Sequence, residues 1–295
     1  MSNTPYRANT ADRDHSVRRV ILIEGTANLA VLLAKLVVGF ATGSLAVLGD
    51  AVHSLTDLSN NVVAWTVMRL SVQPADREHP YGHRKFETLT VFGLAALLVV
   101  LAFELALNAI KSESKPIASE TWELGVMLAV LLINVVVAAW QRRWARRLAS
   151  DILLADASHT FADVMITTAV IIGWQLSAMG YAWLDRLCAL AVAGLVLYLA
   201  YQLFKRAVPV LVDQFAVDPE QLTRAVMTVT GVRQVRRIRS RWMGSVPVVD
   251  MIICVDPALT TEQAHDISDR IELLVEQRFQ IADVSIHVEP DRRNS

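Results

Sequence analysis

The sequence predicts an α-helical membrane protein with six transmembrane helices, followed by a cytoplasmic α+β domain (α-β-β-α-β). The chain is 54% hydrophobic and has a mean hydropathy of +0.39, whereas average soluble chains are nearer 45–50% apolar. The apolar residues are concentrated before residue 208, and the remainder is rich in charge. We therefore divide the chain into a polar N-terminal cytoplasmic segment (1–19), a six-span transmembrane domain (20–208) and a cytoplasmic domain (209–295).

Six segments have the roughly 20 mainly apolar residues that a helix needs to cross a bilayer. They are residues 20–42, 45–68, 88–110, 121–140, 153–178 and 184–206. Lys and Arg collect in the connections on one side, which the positive-inside rule makes cytoplasmic. An even number of spans returns the chain to its starting side, so both termini are predicted to be cytoplasmic. With no apparent signal peptide, a bacterial inner membrane is the expected location.

The charged C-terminal part has the pattern of a small α-β-β-α-β unit. DPEQLTRAVMTV begins with Asp-Pro, a helix-start signal, and TEQAHDISDRIELLVEQRF has an amphipathic helical period. VRQVRRIRS and VPVVDMIICVD are β-rich and are separated by the turn signal WMGS, and DVSIHVEP closes as a strand. These patterns predict an open-faced sandwich attached directly to the sixth span.

Composition and charge also limit which binding partners and cofactors the sequence suggests. A net charge of −1 does not favour nucleic acid. Two cysteines, Cys188 and Cys254, lie in different regions and indicate neither a disulfide framework nor a Cys-based zinc cluster. Nothing in the sequence indicates a resident cofactor.

A polar motif, D-A-x-H-[S/T]-x-x-D, occurs in both the second and the fifth span, as DAVHSLTD at 50–57 and DASHTFAD at 156–163. Residues i and i+4 share a helix face, so His53 and Asp57 can reach one point, as can His159 and Asp163. Two imidazoles and two carboxylates from adjacent helices suit tetrahedral zinc. The alternative is hydrogen bonding between helices, but two matched pairs near mid-membrane favour a metal or proton site.

The first Asp of each motif cannot join the same ligand set. Asp50 precedes Asp57 by seven residues, or about 10 Å along a helix axis. Because the two spans run in opposite directions, Asp50 is expected on the outer side of the site and Asp156 on the inner side. We interpret both as pathway carboxylates, and the alternative is simple solvation near a helix end.

Several stretches together resemble the cation diffusion facilitator family: TGSLAVLGDAVHSLTD, QPADREHPYGHRKFE, DASHTFADV, VDPALTTEQAH and SIHVEP. Members of that family are six-span exporters with a ferredoxin-like cytoplasmic domain that dimerise and exchange a divalent metal for protons. The resemblance implies a transport site formed by His53, Asp57, His159 and Asp163. Zinc is the first choice, with cadmium, iron, cobalt and manganese as alternatives.

The loop after the second span looks like a second site of that family, carried by Asp76, His79 and His83. Read locally, a carboxylate and two histidines four residues apart could bind a metal at the cytoplasmic surface, and the alternative is a solvated loop. The resemblance also implies an ion pair of Lys85 with Asp213 that locks the dimer.

The tail departs from the metal-binding members of the family. His265, His287 and Glu289 match ligand positions there, but Arg236 and Ile252 stand where relatives carry His. We therefore predict a dimerisation domain with an impaired metal sensor.

The resulting prediction is secondary antiport, with protons competing with metal for His53 and His159. Two rival functions remain open. An intramembrane metalloenzyme needs an open ligand position on its metal, which four protein ligands do not leave, and H-E-x-x-H is absent from the sequence. A transport-impaired scaffold that acts through its tail is compatible with the altered tail ligands. Four polar residues in spans receive no predicted role: Glu24, Lys35, Glu104 and Asn134.

Overall fold

The computed structural model describes residues 5–42, 45–111, 121–178, 182–244, 246–281 and 283–291. Within these ranges, some side chains, including those of Asp50 and His53, lie outside the described part. The chain divides into two compact units. The first is Met1–Pro74 with Phe86–Ala207, and the second is Ala75–Lys85 with Val208–Ser295.

Six long helices dominate the N-terminal two thirds of the described chain, and each contains one of the predicted spans. They are α1 (Pro5–Thr42), α2 (Leu45–Ser71), α3 (Lys85–Lys111), α4 (Thr121–Arg147), α5 (Asp151–Ala178) and α6 (Ala182–Leu211). In the first unit, α1 packs along α2, and α4 packs along α5. Small side chains such as Ala95, Ala155 and Ala200 are buried between helices, which lets the helix backbones approach closely.

Three segments of these helices are long and apolar enough to cross a membrane by themselves. They are Asp12–Val37, Lys85–Lys111 and Arg186–Leu211 in the described part of the chain. Large apolar side chains such as Val100, Phe103 and Leu132 are more than half exposed, as lipid-facing residues are.

The polar N-terminal segment is the beginning of α1 rather than a separate element. Its Asp14 is fully buried, and Arg13 donates hydrogen bonds to the backbone carbonyls of Leu148 (2.9 Å) and Ala149 (3.1 Å). A guanidinium nitrogen of Arg13 also lies 3.5 Å from a carboxylate oxygen of Glu87. The start of α1 is therefore fastened to the α4–α5 turn.

The second unit has the predicted α-β-β-α-β order. Its elements are α7 (Pro219–Val226), β1 (Gln234–Met243), β2 (Val246–Val255), α8 (Thr261–Phe279) and β3 (Asp283–Pro290). The sheet order is β1-β2-β3, with β1 antiparallel and β3 parallel to β2. Its hydrophobic core includes Leu222 and Val249, and Thr260 and Gln263 form a capping box that starts α8.

The loop between α2 and α3 belongs to this second unit, a grouping that the sequence did not predict. The guanidinium of Arg241 lies 4.9 Å from the ring centre of Tyr81, a cation–π distance. Gly244, at φ +63°, closes the β1–β2 turn against the loop, because a Cβ there would lie 2.8 Å from the Cβ of Arg84. Residues 75–85 are thus held by the sheet of the second unit.

Candidate metal centres

A cluster of three ligating side chains lies between α2 and α5 in the first unit. His159 Nε2 is 3.5 Å from Asp57 Oδ1 and 3.8 Å from Asp163 Oδ2. Their side chains are 6%, 26% and 12% exposed, respectively. Within the described residues, the buried Oδ1 of Asp57 receives no hydrogen bond.

These distances fit one tetrahedral ion. Zinc–ligand bonds of about 2.0–2.2 Å place neighbouring ligand atoms about 3.4 Å apart. One ligand atom from each of Asp57, His159 and Asp163 lies within 4.8 Å of the others. The fourth predicted ligand, His53, is one turn before Asp57 on α2, but its side chain lies outside the described residues. The structure therefore brings together the three predicted residues whose side chains it describes.

A small cavity adjoins the cluster. Its volume is about 20 Å³, close to the space that one water molecule needs. The other side chains that line it are polar: Glu24, Asn28, Asn60, Asn134, Asp156 and Thr160. An ion held there would therefore meet oxygen and nitrogen atoms on several sides.

Asp156 lies one turn before His159 on α5 and is only 5% exposed. Asn61 and Gln141 each place an amide nitrogen 3.4 Å from its Oδ2. Glu24 lines the same cavity as Asp156. Asp156 is therefore embedded in a buried polar network. Asp50, the other predicted pathway carboxylate, has its side chain outside the described residues.

Sequence reasoning missed the polar partners on the neighbouring helices. Glu24 and Asn28 lie one turn apart on α1, and both line the cavity. Asn28 donates a 2.7 Å hydrogen bond to Asn61, four residues after Asp57. The four-residue spacings from Glu24 to Asn28 and from Asp57 to Asn61 are visible in the sequence, but they do not identify which helices pack together. Of the remaining unassigned residues, Lys35 donates to Ser54 (2.7 Å), Asn134 lines the cavity and Glu104 is exposed.

A second cluster lies in the loop of the second unit. Asp76 Oδ1 is 3.3 Å from His79 Nδ1, and its Oδ2 is 3.4 Å from His83 Nε2. One ligand atom from each of the three residues lies within 4.8 Å of the others. His83 is 3% exposed, whereas Asp76 is 52% exposed, so the cluster faces solvent on one side.

The loop backbone favours the ionised form of Asp76. The N–H groups of His79 (2.6 Å) and Glu78 (2.9 Å) donate to Asp76 Oδ1. The hydrogen bond from His79, the larger cause, and that from Glu78 lower the pKa of Asp76 below its usual value. The carboxylate is therefore charged and available to a cation at neutral pH.

Lys85 and Asp213 meet within the second unit. Lys85 Nζ donates to Asp213 Oδ1 at 2.7 Å, and the two side chains are 35% and 52% exposed. An ion pair this exposed contributes about 1 kcal/mol or less.

The three predicted ligands of the tail do not form a cluster among its described residues. His265 is 75% exposed and lies 3.7 Å from Asp269. His287 lies 3.7 Å from Glu289, whose other carboxylate oxygen binds Arg236 at 2.5 Å. Arg236, which stands where the family resemblance implies a histidine, therefore forms an ion pair with Glu289, one of the candidate metal ligands.

Comparison with known proteins identifies the family. Residues 21–212 match the cation efflux transmembrane domain, and residues 216–291 match the cytoplasmic domain of cation efflux proteins. The cation-efflux pump FieF of Pectobacterium carotovorum subsp. carotovorum (strain PC1) is 31% identical over 283 residues, which is 94% of each chain. The uncharacterized transporter YdbO of Bacillus subtilis (strain 168) is 27% identical over 272 residues, covering 90% of this chain and 92% of YdbO.

Solved structures match about a quarter of the chain. The MamM CTD in its copper form is 34% identical and covers 25% of this chain and 72% of that one, with a TM-score of 0.24.

The chain belongs to the cation diffusion facilitator family and is a cation efflux transporter of the membrane. This confirms the resemblance drawn from the motifs. The family is one of transporters and not of enzymes, so the intramembrane metalloenzyme alternative is rejected. Transported divalent metal cations and a dimerisation domain both fit the family.

Proposed function

We propose that this protein exports divalent metal ions, zinc first among them, from the cytoplasm in exchange for protons. The transport site consists of His53, Asp57, His159 and Asp163, and access to it alternates between the two sides of the membrane. One observation carries this proposal. Asp57 of α2 lies close to His159 and Asp163 of α5, and the distances between their ligand atoms suit one bound metal ion.

The proposed topology has six spans, with both termini in the cytoplasm of a bacterium and the helices in its inner membrane. Helices α2 and α5 have 27 and 28 residues, enough to extend about 40 Å and cross a bilayer. Four of their ionisable residues, Asp57, Asp156, His159 and Asp163, line an internal cavity, as expected of functional intramembrane residues. We also propose that the chain enters the membrane after residue 19 and leaves it after residue 208.

The ligand types support zinc. An imidazole with two carboxylates, completed by His53, is a nitrogen–oxygen set that zinc accepts in tetrahedral geometry. Manganese and iron favour sites richer in oxygen, and copper(I) favours sulfur. Cadmium, iron, cobalt and manganese are the competitors that a transport measurement has to include.

Proton exchange follows from the chemistry of the same ligands. An imidazole binds metal only in its neutral form, so a proton and the metal compete for His159. High proton concentration outside favours release of the ion there. The protonated site then returns inward and loses its protons to the more alkaline cytoplasm. Asp57 and Asp163 balance the charge of the ion and take part of the proton load.

We further propose that Asp156 relays ions or protons on the cytoplasmic side of the site and that Asp50 does so on the outer side. The burial of Asp156 and its hydrogen bonds from Asn61 and Gln141 favour this role over solvation near a helix end.

The test is metal uptake into proteoliposomes with an imposed proton gradient. Zinc uptake should exceed that of each competing metal, and excess unlabelled zinc should suppress uptake of the others. A protein that carries no metal under these conditions is the transport-impaired scaffold. Equal uptake of manganese and zinc would contradict the zinc assignment.

We propose that the loop cluster binds one metal ion at the cytoplasmic surface. Replacing both His79 and His83 with alanine should lower the zinc bound per chain by one, because Asp76 alone is a weak ligand. Zinc content after equilibrium dialysis measures this. Glu78→Ala, an exposed acidic residue of the same loop, is the matched control and should leave the content unchanged. Unchanged zinc content in the double variant would show that the loop is only solvated.

We propose that the protein forms a homodimer through its dimerisation domain and that the ion pair of Lys85 with Asp213 locks the dimer. Their 2.7 Å contact joins the first residue of α3 to a residue two positions after the end of α6.

We propose that the tail is a weak metal sensor, because Arg236 holds Glu289. The Arg236→His change should strengthen zinc binding by His287 and Glu289 at least about tenfold, since it frees a carboxylate and adds an imidazole. Isothermal titration of a variant that lacks both the loop histidines and His159 removes the other two proposed zinc sites and leaves the tail signal. Arg237→His, the neighbouring exposed arginine on β1, is the control. If Arg236→His leaves the affinity of the tail unchanged, the impaired-sensor explanation is wrong.

A further inference from the structure

A large cleft opens in the first unit where α4 passes into α5. Its volume is about 670 Å³, and its walls come from α4, α5 and α6. It is separate from the transport cavity and shares none of that cavity's lining residues. In the proposed topology, the α4–α5 turn lies at the cytoplasmic surface, so the cleft opens at the inner leaflet.

The cleft is positively charged. Arg142 and Arg146 lie one turn apart on α4, and Arg206 enters from α6. Asp151 is the acidic residue of the lining and pairs with Arg206 at 2.8 Å. Within the described residues, Arg142 and Arg146 have no ion-pair partner. Three arginines and one aspartate therefore leave two uncompensated positive charges in the cleft.

The cleft also has apolar lining residues. Leu154 of α5 and Leu199 and Leu203 of α6 line it together with the arginines. At its edge, Tyr198 is 54% exposed, and its hydroxyl accepts a 2.6 Å hydrogen bond from Gln202. Tyrosine in this setting is typical of the membrane–water interface. From Tyr198 to Arg206, α6 rises about 12 Å, so the α6 wall of the cleft changes from apolar to cationic over about the length of a lipid headgroup and glycerol backbone.

We propose that this cleft binds the phosphate headgroup of an anionic phospholipid of the inner leaflet. Arg142 and Arg146 hold the phosphate, while one acyl chain lies against Leu154 and Leu199. Basic pockets between transmembrane helices on the cytoplasmic side recognise such headgroups. The cleft does not suit the transported metal, because two uncompensated positive charges repel a divalent cation.

The matched experiment uses the two arginine pairs of α4. Arg142→Gln with Arg146→Gln removes the pair in the cleft. Arg143→Gln with Arg147→Gln removes the same charge from the same turns of the helix, and these exposed arginines do not line the cleft. Native mass spectrometry of the full chain, titrated with phosphatidylglycerol or with phosphatidylcholine, gives the lipid affinity of each protein.

The cleft variant should bind phosphatidylglycerol about 30-fold more weakly than the unmodified protein, which converts to about 2 kcal/mol for two arginines. The control pair should change the affinity less than about threefold, and phosphatidylcholine should bind weakly to all three proteins. Thermal unfolding without anionic lipid should be the same for both variants, which shows that the helices remain folded.

Three outcomes would overturn the proposal. Equal losses in the two variants would indicate a diffuse attraction of basic residues to the membrane surface. Full affinity in the cleft variant would show that the lipid binds elsewhere. Displacement of phosphatidylglycerol by an equal concentration of soluble glycerol phosphate would assign the cleft to a free phosphate ligand instead of a lipid.

Discussion

Replacing His159 with alanine should reduce zinc transport to background, a fall of more than about 100-fold in the initial rate. Loss of the partners that merely orient metal ligands already costs 10–100-fold, and His159 is itself a proposed ligand. Its imidazole lies 3.5 Å from Asp57 and 3.8 Å from Asp163, so its loss removes the nitrogen ligand between the two carboxylates. Initial zinc uptake into proteoliposomes measures the effect.

His15→Ala is the matched control for this experiment. His15 is exposed on α1 and belongs to neither candidate metal cluster, so its loss should leave the rate unchanged. Both variants should elute from size exclusion as the unmodified protein does, which separates loss of a ligand from loss of the fold. A His159→Ala protein with the normal rate would show that the transport site lies elsewhere.

Replacing Asp156 with asparagine should slow transport about tenfold or more while leaving the zinc affinity within about threefold. Asp156 borders the cavity, one turn from His159, but is not one of the three clustered ligands. Asparagine retains an oxygen that can accept from Asn61 and Gln141, so the packing is preserved and the charge is lost. Transport rates and calorimetric zinc affinity, measured on the same preparation, separate the two effects.

Asp12→Asn, an exposed position on α1, controls for the loss of one negative charge. If the Asp156 variant transports at the normal rate, the carboxylate does not serve the pathway. If its zinc affinity falls as far as its rate, Asp156 is a ligand instead.

Local sequence patterns predict the elements of this fold well. Each predicted span lies within one long helix, and the tail has the expected α-β-β-α-β order. The Asp218-Pro219 start of α7 is one clear case, because the Asp218 side chain accepts from the backbone of Glu220. What the sequence does not predict depends on tertiary contact. Neither the grouping of the α2–α3 loop with the sheet nor the fastening of Arg13 to the α4–α5 turn leaves a periodic signal.

The candidate site also contains residues that sequence spacing predicts and residues that only helix packing brings together. The i, i+4 spacing within α5 suffices to predict that His159 and Asp163 share a face, and the repeat of the motif points to Asp57 on α2. Glu24 lines the same cavity as Asp156 only because two helices distant in sequence pack together, and a single sequence gives no pairing information of that kind. In the tail, the substitution at Arg236 is visible in the sequence, but its contact with Glu289 requires the sheet.

The exchange of metal for protons is tested most directly by measuring both fluxes in one vesicle population. Proteoliposomes would contain a pH-sensitive dye, with the membrane potential clamped at zero, and zinc would be added outside. Exchange at the proposed site predicts that zinc entry raises the internal pH in proportion to the zinc taken up, and that His159→Ala abolishes both signals. Zinc entry by the unmodified protein with no change in internal pH would contradict proton antiport.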